Sequence, residues 1–239
     1  MTPASDLEWM AVQVDVLFVA DPRGRLLRRR GPVAEEEPPP RFFFGRTRHG
    51  NLWRFAAGLP EPLVVELARL AASERIGRPL EAPPERIESF RARLEAGAPI
   101  ERVYHGPAFY FPELPGAAGE DPGVVLLTPD RVELLGEEFA ALRPALALRQ
   151  PCFAALSEGR AVAACYVAAR SARAAEAGVE TLPGFRGRGL ASRASAAWAG
   201  AVRHEGLLPL YSTEWRNRAS LGVAARLGLI RYGVDLHFR

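Results

Sequence analysis

The sequence predicts a mixed α/β fold, an α/β domain on a mixed sheet preceded by a smaller α+β domain. Three observations carry this. The second half alternates short apolar runs with stretches of helical period. Residues 178–191, GVETLPGFRGRGLA, read as strand, Pro-Gly turn, glycine-punctuated basic loop and helix start. Residues 113–123, ELPGAAGEDPG, have no periodicity and little but Gly, Pro, Ala and acid, so they mark a linker. The expected domains are 1–118, of unknown role, and 119–239.

The composition fits a packed protein. Hydrophobic residues make up 48% and charged residues 25%, which suits a buried core rather than disorder. The formal charge is +3, and all 31 basic residues are arginine. Residues 1–60 hold nine Arg against seven acids, an excess of two, too small for a nucleic-acid face. No run approaches the ~18 apolar residues of a membrane span. The opening MTPASDLEW lacks the basic-then-apolar pattern of a leader. Cys152 and Cys165 are too few for a disulfide scaffold. They are expected to be reduced core residues of a cytosolic, cytoplasmic protein, on neighbouring strands where a cross-strand contact is open.

In order, Trp9–Ala20 is rich in β-branched residues and reads as a strand, returning through GRLLRRR across the turn Asp21-Pro22-Arg23-Gly24. GPVAEEEPPP is a loop. Residues 42–55 read as a second hairpin with Gly50 or Asn51 in the left-handed position and His49 solvated in the turn. Pro62–Ser73 and Pro84–Ala96 are helices by their leucine and aromatic spacing. Arg102–Pro112 is extended. Beyond the linker, Val124–Leu127 is a strand and Asp130–Leu148 is largely helical, broken at Pro144. Cys152–Leu156 and Ala161–Ala169 form a hairpin. Glu176–Leu182 is the strand that feeds the basic loop. Gly189–His204 is a helix whose apolar stripe includes Leu190, Ala194, Trp198 and Val202, ended by Gly206. Leu210–Thr213 is a strand, Ala219–Leu227 a helix closed by Gly228, and Leu229–Tyr232 and Val234–Phe238 are the last extended pieces.

The loop carries the chemistry. Gly187 and Gly189 let backbone approach a ligand without a Cβ in the way. The helix that follows leaves its first N–H groups without internal partners and has a partly positive end. That arrangement receives a phosphate or pyrophosphate. Arg186-Gly187-Arg188-Gly189-Leu190-Ala191 fits Arg/Gln-x-x-Gly-x-Gly/Ala. With LYSTEWRNRASLGVAARLGL downstream, it resembles the acyl-CoA pyrophosphate loop of the GNAT family of N-acetyltransferases, over roughly residues 120–239. No family motif is recognised in residues 1–118.

The resemblance implies an acetyl-CoA co-substrate and transfer of an acetyl group to a primary amine. Strand backbone at Val179, Glu180 and Thr181 would hold the pantetheine arm. Backbone N–H groups of Gly187, Arg188, Gly189, Leu190, Ala191 and Ser192 would hold the pyrophosphate. The Arg186 and Arg188 side chains either reach phosphates or are solvated. Asn217 matches a position near the pantetheine and is also a favoured helix cap; Ser220 has the weaker claim.

The usual acid and base are missing. Many family members carry Tyr seven residues after this Asn, and here that residue is Ala224. Members that acetylate ribosomal proteins carry Glu five before it, and here that residue is Ser212. Deprotonating the amine needs a general base. The candidates are Glu176 and Glu180, which share a strand face, and Glu214, which shares a parity with Ser212. Tyr211 should face the other way, and a water chain is a further route. The implied partners are acetyl-CoA and an amine of a small molecule or a protein. Neither nucleic acid nor membrane nor metal is expected, and a homodimer is left open. A second reading also stays open: a regulatory protein that binds acyl-CoA without turnover.

Overall fold

The computed structural model describes residues 2–31, 37–113 and 121–239. In chain order the first elements are α1 (Asp6–Leu17), β1 (Phe18–Ala20), β2 (Leu26–Arg29), β3 (Phe42–Arg46), β4 (Asn51–Phe55), α2 (Glu61–Ala72), α3 (Ile87–Glu95) and β5 (Val103–Tyr110). They are followed by β6 (Val124–Leu126), β7 (Cys152–Ser157), β8 (Arg160–Arg170), β9 (Ala174–Thr181), α4 (Leu190–His204), β10 (Leu208–Ser212), α5 (Arg218–Arg226) and β11 (Ile230–Phe238).

The chain divides into two compact units. Of the described residues, one holds 2–30, 37–108 and Arg231–Arg239; the other holds Gly31, 109–113 and 121–230. These units part between Ala108 and Phe109, and the last strand belongs to the first unit. Residues 114–120 of the expected linker lie outside the described residues, as do residues 32–36 of the expected loop.

The first unit begins with a helix where a strand was expected. Ser5 caps the helix, its Oγ accepting from Glu8 N at 3.2 Å, and Glu8 Oε2 reaches back past the cap to accept from Ala4 N at 2.8 Å. The alternation of Val12, Val14 and Val16 imitates a strand. In α1 these residues and Trp9, Met10 and Gln13 are all buried, so the helix is covered on most sides and shows no one-sided stripe. The turn at Asp21–Gly24 forms as expected, with Gly24 at φ +76°. The β3–β4 hairpin also forms, but neither Gly50 nor Asn51 takes a positive φ. Thr47 closes that turn instead, its N and Oγ1 each donating to Gly50 O at 2.9 Å. His49 faces Asp6, with Nδ1 3.4 Å from Oδ2, and its side chain is 70% exposed. Strands run in the order β4-β3-β11, with β5 beyond β11. Phe42, Phe44, Phe55, Leu236 and Phe238 pack with Leu67, Phe90 and Leu94 of α2 and α3. The two terminal pieces expected after Gly228 are one strand. Gly233 keeps it continuous, since a Cβ there would collide with Met10 and with the carbonyl of Arg46.

The second unit is a mixed sheet. β6, β7, β8 and β9 pair antiparallel in sequence, and β10 lies parallel to β9. The β7–β8 turn has Glu158 at φ +50° and Gly159 at φ +76°, a two-residue hairpin of the primed type. The β9–α4–β10 crossover puts α4 on one face, over Cys165, Val167, Ala175 and Tyr211, with Trp198 and Val202 at the centre. The other face carries Cys152, Ala154, Ala164 and Tyr166 under Leu135, Phe139, Leu142 and Leu146. The cover on this second face was expected to be largely helical, broken at Pro144. It is a chain of 3-10 turns at Pro129–Leu134, Glu137–Phe139 and Leu146–Leu148, interrupted at Gly136 and Pro144. The cysteines are on neighbouring strands, but Cys152 pairs with Tyr166 and Cys165 with Phe153. They therefore project from opposite faces, and both are free. At the C-terminal end of α4, Arg203 Nη2 donates to the carbonyls of Phe111 and Pro112 at 2.8 and 2.7 Å. Among the described residues no helix is long and apolar enough to cross a membrane.

Candidate active site

The site grows from a divergence of two strands. The parallel register of β9 and β10 ends at Leu210 opposite Glu176, while β9 continues to Thr181. Leu182 N–H donates to Val162 O on β8 at 2.9 Å. Backbone direction alternates along a strand. Residues 178 and 180 therefore face β8, and Ala177, Val179 and Thr181 turn their N–H and C=O groups to the edge that β10 has left.

The glycine loop closes one end of that gap. Pro183–Phe185 makes one 3-10 turn, with Phe185 N–H donating to Leu182 O at 2.9 Å. Gly187 and Gly189 sit at φ +77° and +80°, a region that side chains with a Cβ resist. Gly189 is the N-cap of α4 and supplies no side-chain bond, so the N–H groups of Leu190, Ala191 and Ser192 start the helix without an internal partner. Their direction and the helix dipole suit an anion.

These parts line a cavity of about 670 Å³, within the range of small-molecule sites. Val179, Glu180, Thr181, Arg186, Gly187, Gly189, Leu190, Ala191, Ser192, Asn217 and Ser220 are all on its wall. Arg188 is not; its guanidinium lies over the Phe185 ring, 5.1 Å from the centroid. Asn217 caps α5, its Oδ1 accepting from Ser220 N at 3.1 Å, which leaves the carboxamide nitrogen as the group it offers to the cavity.

Other wall residues were not expected. Glu138 and Phe139 come from the 3-10 segment, and Arg218, Gly222 and Arg226 from α5. The last three stand four residues apart, so helical spacing places them on one face; that signal was present in the sequence. Arg226 lies over the start of α4, since a Cβ at Gly189 would fall within contact of its Nη1.

The three carboxylates separate. Glu180 is on the cavity wall and accepts from Tyr166 Oη at 2.6 Å. The Tyr166 ring lies across Gly178, where a Cβ would collide with it, and under the Arg149 guanidinium at 4.7 Å. Burial, and then the Glu180 carboxylate, push the Tyr166 hydroxyl well above its ordinary pKa, so it acts as a fixed donor. Glu176 shares the Glu180 face but is only 4% exposed, and its Oε1 accepts from Ser212 Oγ at 2.6 Å. It thus occupies the surroundings of Ser212 from the neighbouring strand. Glu214 pairs with Arg216 and is not on the wall. Tyr211 faces α4 as expected; its hydroxyl donates to Ser220 O at 3.3 Å, and burial holds its pKa up to about 12. Ala224 is 3% exposed in the same core.

Fold and cavity together define an α/β domain with a glycine loop and a helix start where two parallel strands part. Residues 151–233 match the family model described as GNAT acetyltransferase. The chain is also similar to a putative acetyltransferase of the GNAT family from Novosphingobium aromaticivorans DSM 12444, at 22% identity and TM-score 0.51, covering 93% of this chain and 90% of that one. A GCN5-related N-acetyltransferase-like protein from Streptococcus suis 89/1591 is similar at 14% identity and TM-score 0.50, covering 99% and 94%. At these identities the likeness is one of fold. No curated protein matches the chain. Residues 151–233 thus match the GNAT acetyltransferase family model, and the chain has a fold similar to those of GNAT-family structures.

Proposed function

We propose that the protein is an N-acetyltransferase that moves an acetyl group from acetyl-CoA to a primary amine. The observation that carries this reading is the single cavity of about 670 Å³ that joins the open edge of β9, the glycine loop, the start of α4 and Asn217. The fit to the co-substrate rests on Gly187 and Gly189, whose positive φ values keep backbone N–H groups free of a Cβ. Acetyl-CoA supplies the activated acyl group. The N–H groups of the loop and of Leu190, Ala191 and Ser192 hold its pyrophosphate, with Arg186 and Arg226 as charge-assisted donors. The edge of β9 at Val179 and Thr181 holds the pantetheine arm by strand-like hydrogen bonds.

Glu180 is the general base, because it alone of the three carboxylates is on the cavity wall. Tyr166 holds one of its oxygens and leaves the other to receive the amine proton. Glu176 is anchored by Ser212 instead. Ala224 donates no proton, so the leaving thiolate takes its proton from water. Two reduced, buried cysteines fit a cytoplasmic setting. The test is a panel of small-molecule and peptide amines with acetyl-CoA, read by free thiol release. Turnover of any amine supports the enzyme. The second reading, acyl-CoA binding without turnover, is favoured by the buried Ala224 and is the outcome if acetyl-CoA binds and no amine is consumed.

A further inference from the structure

We infer that the N-terminal unit carries a second ligand site, for a small phosphate monoester with an apolar or planar body. A cleft of about 420 Å³ opens in that unit between the β1–β2 turn, β4 and the start of α2. Arg23, Arg25 and Arg54 line it with one carboxylate, Glu61. Three guanidinium charges in one cleft repel one another, and Glu61 in the wall with Asp21 in the turn leaves the cleft net positive. An anion such as a phosphate suits that excess.

The turn that carries Arg23 and Arg25 is held in place before any ligand arrives, and so are the Arg25 and Arg54 side chains. Asp21 Oδ1 accepts from Arg23 N at 2.8 Å and from Arg25 N at 2.9 Å, and Gly24 at φ +76° completes the turn. Gly24 also leaves room for Arg54, whose Nε would be only 3.4 Å from a Cβ at that position. Arg54 Nη1 is tied back to Trp53 O at 2.8 Å, which leaves Nε, Nη2 and the second Nη1 hydrogen as donors. Arg25 is paired through Nη2 with Glu61 and lies over the Phe55 ring at 5.9 Å. Its Nη1 is buried with no hydrogen-bond partner among the described residues. A buried donor without an acceptor is costly, and a small shift of the guanidinium towards the cleft would give it a ligand oxygen.

The rest of the wall sets the body of the ligand. Trp53, Phe55 and Val64 are apolar, and two of them are aromatic. The first turn of α2, a 12-residue helix, adds a weak positive end. Free phosphate and an aryl phosphate share the dianion and differ in the body, so comparing them reports on the apolar wall.

The experiment is calorimetric titration of the full chain with phenyl phosphate, inorganic phosphate and benzoate. Saturable binding of phenyl phosphate, tighter than that of phosphate or benzoate, is expected. Arg23→Gln and Arg54→Gln should each weaken it about tenfold or more, the loss of one charge-assisted bond. Gly189→Val, which blocks the cavity in the other unit, should leave it unchanged. Absence of binding to the wild-type chain overturns the inference. So does binding that Gly189→Val abolishes and both arginine variants keep, because the anion is then in the other cavity. Arg23 is exposed, so Arg23→Gln keeps the test decisive if Arg54→Gln fails to fold.

Discussion

Replacing Gly189 by alanine perturbs the candidate donor site in two separable ways. The backbone at φ +80° is left-handed, which costs an L-residue about 1–2 kcal/mol of stability. The new Cβ also falls within contact of Arg226 Nη1, so the guanidinium must swing away from the start of α4. If Arg226 is a charge-assisted donor to the pyrophosphate, its loss costs about 1.5–3 kcal/mol of binding. That is roughly a 10- to 100-fold weaker Kd. Arg226→Gln removes the guanidinium and leaves the backbone alone. Calorimetry with acetyl-CoA should show weakened binding in both variants. Thermal unfolding should show a Tm lowered by a few degrees only in Gly189→Ala. Wild-type affinity in both variants would refute the assignment of this loop to the pyrophosphate.

Three further outcomes follow from the geometry. Glu180→Gln should lower the acetylation rate of an identified amine by about 10²-fold or more with acetyl-CoA affinity unchanged, whereas Glu214→Gln should acetylate like wild type; the reverse ranking would remove Glu180 as the base. The Arg193 guanidinium, and then the Gly123 N–H, hold the Asp121 pKa down to about 2 despite a partly opposing desolvation. A depressed carboxylate pKa stabilises the fold above its ordinary value near 3.8 and loses that contribution as pH falls towards 2. The pair is largely exposed, so Asp121→Asn should cost less than about 1 kcal/mol near neutral pH, with the difference from wild type gone near pH 2 and reduced in high salt, as denaturant titrations can check. Ser5→Ala should destabilise the first unit by about 1 kcal/mol through loss of the α1 cap; an unchanged denaturation midpoint would deny the cap its role.

Turns and glycine-closed helices were legible in the sequence because their signals are local. Asp21-Pro22-Arg23-Gly24, Glu158-Gly159, Gly206 and Gly228 each mark an end that the structure has. What failed was periodicity without a solvent face. α1 is buried on most sides, so its valines show a strand-like alternation that only the Ser5–Glu8 cap contradicts. The segment over Tyr166 has leucines at helical intervals, yet Gly136 and Pro144 confine it to single turns. The last strand was read as two pieces because Gly233 looks like a break, when its use is to admit the Met10 side chain. At the site, parity placed Glu176 and Glu180 on one face, but parity cannot say which carboxylate meets a cavity. That depended on Ser212 and Tyr166, which reach them from neighbouring strands.

The two cysteines bear on how such a protein is measured. Burial pushes the Cys152 thiol up to about 12 and the Cys165 thiol higher still, and they project from opposite faces of the sheet. A thiol at such a pKa is almost wholly protonated at assay pH and unreactive to disulfide reagents. In a chromogenic assay for released coenzyme A, the folded protein should therefore contribute no background colour. A slow signal of two thiols per chain in the absence of an amine would count unfolded molecules, so the same cuvette would report turnover and the loss of native protein on separate timescales.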